Sequence, residues 1–188
     1  MPRLAPIDSP PSLFMRLAYW ASRRQFGAVI TPLRVSYARN PRFALAGSVV
    51  GYVLDRGLSL DADVVHLVSA RVAQVNGCAF CEDLSLAMVV QKRLGMDRFR
   101  ALADYRTSPL FSERERAAIA FGEEASLERR VSDATFRAAR AHFDETEVAE
   151  LAWVAAAQTF YNVQNGALAI ESDGLAALAE ADRQEPAS

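Results

Sequence analysis

The run Ala70–Ala87, ARVAQVNGCAFCEDLSLA, joins two stretches of helical periodicity across an Asn76-Gly77 break and holds both cysteines of the chain, Cys78 and Cys81. Before the break, Val64, Val65, Leu67, Val68, Val72 and Val75 recur at the spacing of a helix face. After it, Leu84, Leu86, Met88 and Val89 continue the same period to Leu94, where Gly95 provides a stop. Two helices folding back across so short a break form an αα-hairpin. The C-x-x-C pair then opens the second helix, directly after the turn.

Working outward, the rest of the chain also reads as helical. Thr31-Pro32 has the form of an N-cap followed by proline at the first helical position. A helix is expected from Pro41 to the stop at Gly57, with Ser59 capping the next. A short helix follows around Met96 to Ala103, and YRTSPLF is a loop. Ser112 with Glu115 is a capping box, Ser132 caps DATFRAARAHF, and Asp144 with Glu147 repeats the box before a long apolar helix. No stretch alternates strictly between apolar and polar residues, so the expected fold class is all-α. The expected organisation is a flexible tail over 1–12, one domain over 13–178 and a flexible tail over 179–188.

The 188 residues are enough for one core. A net charge of −2 gives no basic surface for nucleic acid. The longest apolar run, FALAGSVVGYVL, is too short to span a bilayer. MPRLAPIDSPPS lacks the apolar core of a signal peptide. The expected setting is the cytoplasm, without membrane or nucleic-acid partners.

Three readings compete for the cysteines. Residues three apart on a helix share a face at a separation that suits a disulfide. A thiol at a helix N-terminus feels the positive end of the dipole, which favours the reactive thiolate. A zinc site needs two more ligands, and His66 and His142 are too far apart in sequence to form a local ligand pair. Two buried, inert thiols are the third reading. With the fold-back centred between Val75 and Asn76, position 66 faces position 85. His66, Ser85 and Cys81 then converge as a proton route from thiol through hydroxyl to imidazole. Glu82, four residues after Cys78, is a second proton acceptor. Asp83 reads as an acidic residue favouring the dipole of its own helix. Arg71 and Gln74 can line a pocket, although solvated or interface roles suit them better. Trp153, Phe160 and Tyr161 read as core or oligomer contacts, and Asn162 and Asn165 as polar residues that bond across helices or line the pocket, with no catalytic role. No cofactor or metal is expected.

ARVAQVNGCAFCEDLSLA resembles the active-site segment of the alkylhydroperoxidase D-like, carboxymuconolactone decarboxylase superfamily. Tyr105–Ala125 and Ala141–Asn165 resemble its following helices, so the resemblance runs from about Thr31 to Gly174. It implies an all-α fold, a homo-oligomer (trimer or hexamer), and reduction of a hydroperoxide by a dithiol–disulfide cycle that an unknown thiol or dithiol donor restores, or a related disulfide oxidoreductase activity. It further implies Cys81 as the peroxidatic cysteine and Cys78 as the resolving one. The sequence departs from the catalytic pattern at two positions. A glutamate is expected twelve residues before the first cysteine and a histidine four after the second; His66 and Ser85 stand there. The usual relay therefore does not carry over. A degenerate oligomeric scaffold and a carboxymuconolactone decarboxylase-like enzyme remain as alternatives, the latter disfavoured by the cysteine pair.

Overall fold

A computed structural model of the chain describes residues 1–10, 12–92 and 95–184. The described residues form helices and turns with no strand. The helices are α1 (Leu13–Phe26), α2 (Pro41–Arg56), α3 (Ala62–Val75), α4 (Ala79–Lys92), α5 (Met96–Arg100), α6 (Glu113–Glu128), α7 (Asp133–Arg140), α8 (Glu145–Ala167) and α9 (Leu175–Gln184). A π-helical turn spans Leu33–Tyr37, and a 3-10 turn, Ala101–Asp104, follows α5. Leu94, expected to end α4, and the final residues 185–188 lie outside the described residues.

The core is a three-helix packing of α3, α6 and α8. Val64, Val65, Val68 and Val72 of α3 meet Ala118 and Phe121 of α6, and Leu151, Val154 and Ala155 of α8. Gly122 permits the close approach of α6, because a Cβ there would run into the side chain of Val68. Both expected capping boxes are present. Ser112 and Glu115 open α6, and Asp144 and Glu147 open α8. Ser132 accepts from the Thr135 amide at the start of α7.

Two expected caps are displaced, for one reason: a distant carboxylate takes over the free amides. Ser59 does not cap α3, whose N-cap is Asp61. The Glu150 carboxylate instead accepts from the amides of Ser59 and Leu60 and from the Ser59 hydroxyl. Thr31 likewise does not act as a cap. Its amide and hydroxyl both donate to the carboxylate of Asp173, at 2.7 and 2.6 Å.

Described residues near both ends of the chain make long-range contacts. Arg3 and Ile7 donate their amides to the carbonyls of Leu168 and Arg34. Tyr19 donates its hydroxyl to the Ile7 carbonyl at 2.6 Å. At the other end, residues 179–184 continue α9, which lies along α4. Leu175, at the start of α9, is buried.

Candidate redox site

The turn between α3 and α4 sets the position of the cysteines. Gly77 adopts φ +64°, the left-handed conformation that costs glycine least. The Cys78 amide donates back to the Ala73 carbonyl and the Gly77 amide to that of Gln74, both at 3.0 Å. This pair of bonds is a Schellman motif, and it ends α3. Cys78 emerges as the residue before α4 and Cys81 sits in the first turn, with Cα atoms 5.2 Å apart and the sulfurs joined in a disulfide.

Each sulfur has its own hydrogen-bond donor. The Cys81 amide donates to Cys78 Sγ at 3.3 Å, so that sulfur occupies the place of a helix N-cap acceptor. Asn165 of α8 donates its side-chain Nδ2–H to Cys81 Sγ at 3.4 Å. Both cysteines are only 4% exposed. Val35, Phe80, Leu84, Tyr161, Ile170 and Leu175 surround them with apolar surface. Val35 comes from the π-helical turn, a geometry that recurs at functional sites. An apolar enclosure penalises a thiolate, so the donors to sulfur and the α4 dipole are the groups that can offset it.

The polar residues flanking the pair divide into three roles. Glu82 is half-buried, and desolvation pushes its carboxyl pKa above the ordinary glutamate range. That shift brings it closer to a group able to exchange protons near neutral pH. Asp83 does not serve the dipole of its own helix. It is 8% exposed and caps α9 instead, accepting from the amides of Asp173, Leu175 and Ala176 and from the Ser172 hydroxyl. Ser85 is half-buried, one turn beyond Cys81.

His66 is engaged elsewhere. Its Nε2 lies 3.2 Å from Lys92 Nζ, and Lys92 is also paired with Asp55. An ammonium can only donate, so Nε2 accepts and the imidazole is neutral. Burial first, and the Lys92 charge second, lower its pKa. Among the described residues, neither His66 nor Ser85 hydrogen-bonds to a cysteine sulfur. The hairpin register explains the difference. With α3 ending at Val75 and α4 starting at Ala79, the turn centres on Gly77, so position 66 mirrors position 88 rather than 85. Helix side chains also lean toward their own N-terminus, which tilts His66 away from the turn and Lys92 back toward it.

Of the other candidates, Arg71 is tied to Glu123 and to Gln74, and Arg106 donates to the same glutamate at 2.9 Å. Trp153 and Phe160 are exposed, at 46% and 50%, while Tyr161 donates its hydroxyl to the Gly47 carbonyl. His142 is exposed, and among the described residues no group of three or more His, Cys, Asp or Glu is arranged to hold a metal. Asn165 is the residue whose contact with sulfur the sequence did not announce. The hint was amides at positions 158, 162 and 165, which recur at helical spacing on one face of α8.

The carboxymuconolactone decarboxylase family model matches residues 48–124, which include the whole hairpin. The uncharacterized protein YnjA of Escherichia coli strain K12 is 36% identical over 179 residues, covering 94% of this chain and 97% of that one. The chain belongs to the alkylhydroperoxidase D-like, carboxymuconolactone decarboxylase superfamily. Solved structures share the fold at low identity. An uncharacterized peroxidase-related protein of Ralstonia eutropha JMP134, described as an alkylhydroperoxidase AhpD core, superposes with a TM-score of 0.80 at 16% identity, over 95% of this chain and 96% of that one. The debrominase Bmp8 gives 0.80 at 18% identity, over 93% and 95%. The same fold is thus found in a debrominase and in an uncharacterized peroxidase-related protein. The disulfide after the Gly77 turn is the feature of this chain that any reading has to accommodate.

Proposed function

We propose that the protein is a dithiol peroxidase that reduces organic hydroperoxides through Cys78 and Cys81. The observation that carries this reading is the Cys78–Cys81 disulfide at the start of α4, with a separate N–H donor on each sulfur. In the reduced enzyme the Cys81 thiolate attacks the terminal oxygen of ROOH, and the O–O bond breaks. The departing alkoxide takes a proton and leaves as ROH, and Cys81 becomes a sulfenic acid. Cys78, as its thiolate, then attacks the Cys81 sulfur. The S–S bond forms, and the hydroxyl leaves as water after taking a proton. An external thiol or dithiol donor returns two electrons by thiol–disulfide exchange. Glu82, with its raised pKa, is the candidate proton acceptor beside the thiols. His66 and Ser85, one a lysine partner and the other adjacent to the pair, are candidates for a slower, water-bridged route.

The protein assembles as a homo-oligomer, a trimer or hexamer, through the outer faces of α1, α2 and α8. Support comes from large apolar side chains left in solvent on these helices. Trp20, Leu45, Tyr52 and Val163 are 58%, 59%, 65% and 61% exposed. Such a concentration exceeds the scattered apolar residues normal for a monomer surface. Among the described residues no helix is long and apolar enough to cross a membrane. A cycle restored by a thiol or dithiol donor fits a reducing compartment, which supports the cytoplasm as its setting.

The test is hydroperoxide consumption with a panel of dithiol donors. Turnover that disappears in Cys81→Ser supports the reading. Absence of turnover with every donor, together with thiols no more reactive than free cysteine, establishes the oligomeric scaffold instead.

A further inference from the structure

The buried face of α8 carries a line of three amides, Gln158, Asn162 and Asn165, at 8%, 5% and 4% exposure. Buried side-chain amides need partners, and each of these donates to one. Gln158 Nε2 donates to Asn162 Oδ1 at 2.7 Å, and Asn162 Nδ2 donates to the Val72 carbonyl at 3.1 Å. These two bonds tie α8 to α3. The third amide has no such structural partner: Asn165 Nδ2 ends on Cys81 Sγ. The backbone of Asn165 is itself fixed, because its carbonyl accepts from the Ile170 amide at 3.0 Å. With Asn165 4% exposed, the donor meets the sulfur inside the buried core rather than reaching it from solvent.

From this geometry we infer that Asn165 is a catalytic residue of the dithiol site, the hydrogen-bond donor that stabilises the Cys81 thiolate where a histidine would otherwise stand. The inference rests on the dithiol reading of the cysteines. The position four residues after Cys81 holds Ser85, and the imidazole of His66 accepts from Lys92. Neither charge nor imidazole reaches Cys81 among the described residues, whereas a neutral N–H does. A hydrogen bond donated to the ionised form lowers the pKa of an acid. It also lets the low-dielectric wall of Val35, Ile170 and Leu175 strengthen the bond instead of only disfavouring the charge. An amide cannot take up a proton at ordinary pH. Asn165 thus holds the anion but does not generate it, and the proton leaves to Glu82 or water. The Cys81 pH profile should then be a single thiol ionisation without an imidazole limb.

The experiment measures the pH dependence of iodoacetamide alkylation of Cys81 as the sole thiol, in a Cys78→Ser background with and without Asn165→Ala. Loss of one neutral donor should raise the Cys81 pKa by about 0.5–1 unit, lowering the thiolate fraction below the pKa by about 3–10-fold. Asn165→Asp, nearly isosteric, serves if the alanine variant does not fold; it replaces the donor by a carboxylate and should shift the profile further upward. Asn162→Ala is the structural control, expected to lower the melting temperature and leave the profile in place. An unchanged profile in a folded Asn165 variant overturns the assignment, as does a matching shift in Asn162→Ala. Because alkylation needs no peroxide, a failed peroxidase assay leaves this result readable on its own.

Discussion

At the turn end of the α3–α4 hairpin, two sulfurs lie 4% exposed among apolar side chains, and among the described residues the groups that hydrogen-bond to them are neutral N–H donors. At the open end of the same hairpin, His66, Lys92 and Asp55 form a partly exposed charged cluster. One end can hold a thiolate, and the other holds a neutral imidazole against an ammonium. The contrast teaches that a residue type is not a role. The histidine that a thiol site would use is on the right helix pair, but the turn register places it with the ions. The work at sulfur falls to Asn165 on α8, a helix far away in sequence.

The largest expected effect is at the turn end. Cys81→Ser should abolish hydroperoxide reduction. Cys78→Ser should instead permit one oxidation per chain and leave a sulfenic acid, trapped with a dimedone probe, because only the resolving thiol is missing. If Cys81→Ser gives the trapped sulfenic acid and Cys78→Ser does not, the roles of the two cysteines are reversed.

Next comes the lid over that end. Asp83→Ala removes the acceptor of two α9 amides, Leu175 and Ala176, of the Asp173 amide before them and of the Ser172 hydroxyl. Loss of a buried cap of this kind should cost roughly 2–3 kcal/mol, read by urea denaturation. It should also speed reduction of the disulfide by dithiothreitol, since Leu175 of α9 packs on the cysteine cluster. Reduction at the wild-type rate would mean that α9 does not limit access.

The smallest effect belongs to the charged end. His66→Ala should leave the alkylation profile of Cys81 within error, since the imidazole makes its direct contact with Lys92. Stability should respond instead. Burial and Lys92 lower the folded-state pKa of His66 below its unfolded value, and only Asp55 and Asp63 act to raise it. A group lowered in this way contributes stability above its unfolded pKa of about 6.5, and loses it as pH falls through the folded value. Wild type should therefore lose more stability than His66→Gln between about pH 7.5 and about pH 5.5, by urea midpoint. A parallel decline in both proteins would remove His66 as the titrating group.

Much of this architecture was legible in the sequence. The Asn76-Gly77 break, the capping boxes at Ser112 and Asp144 and the Gly57 stop each depend on neighbours a few residues apart, so local chemistry fixes them. The placement of Cys78 and Cys81 at the start of α4 was legible for the same reason. What failed was long-range. Glu150 reaching Ser59, Asp173 reaching Thr31 and Asp83 reaching α9 span 91, 142 and up to 93 positions. The pairing of position 66 depended on where the turn centred. A shift of one and a half residues in that centre moves the mirrored partner by three, nearly a full helical turn. Asn165 was hidden most deeply, because its contact with Cys81 crosses 84 positions and needs the packing of α8 against the hairpin.

The central claim is that Cys78 and Cys81 form one redox couple, and its most direct test is a titration of the fully reduced protein. One equivalent of tert-butyl hydroperoxide should consume both thiols, release one equivalent of tert-butanol and restore the disulfide, faster than free cysteine reacts at the same pH. Thiols lost at the free-cysteine rate, or alcohol released equally well by Cys81→Ser, would contradict the account.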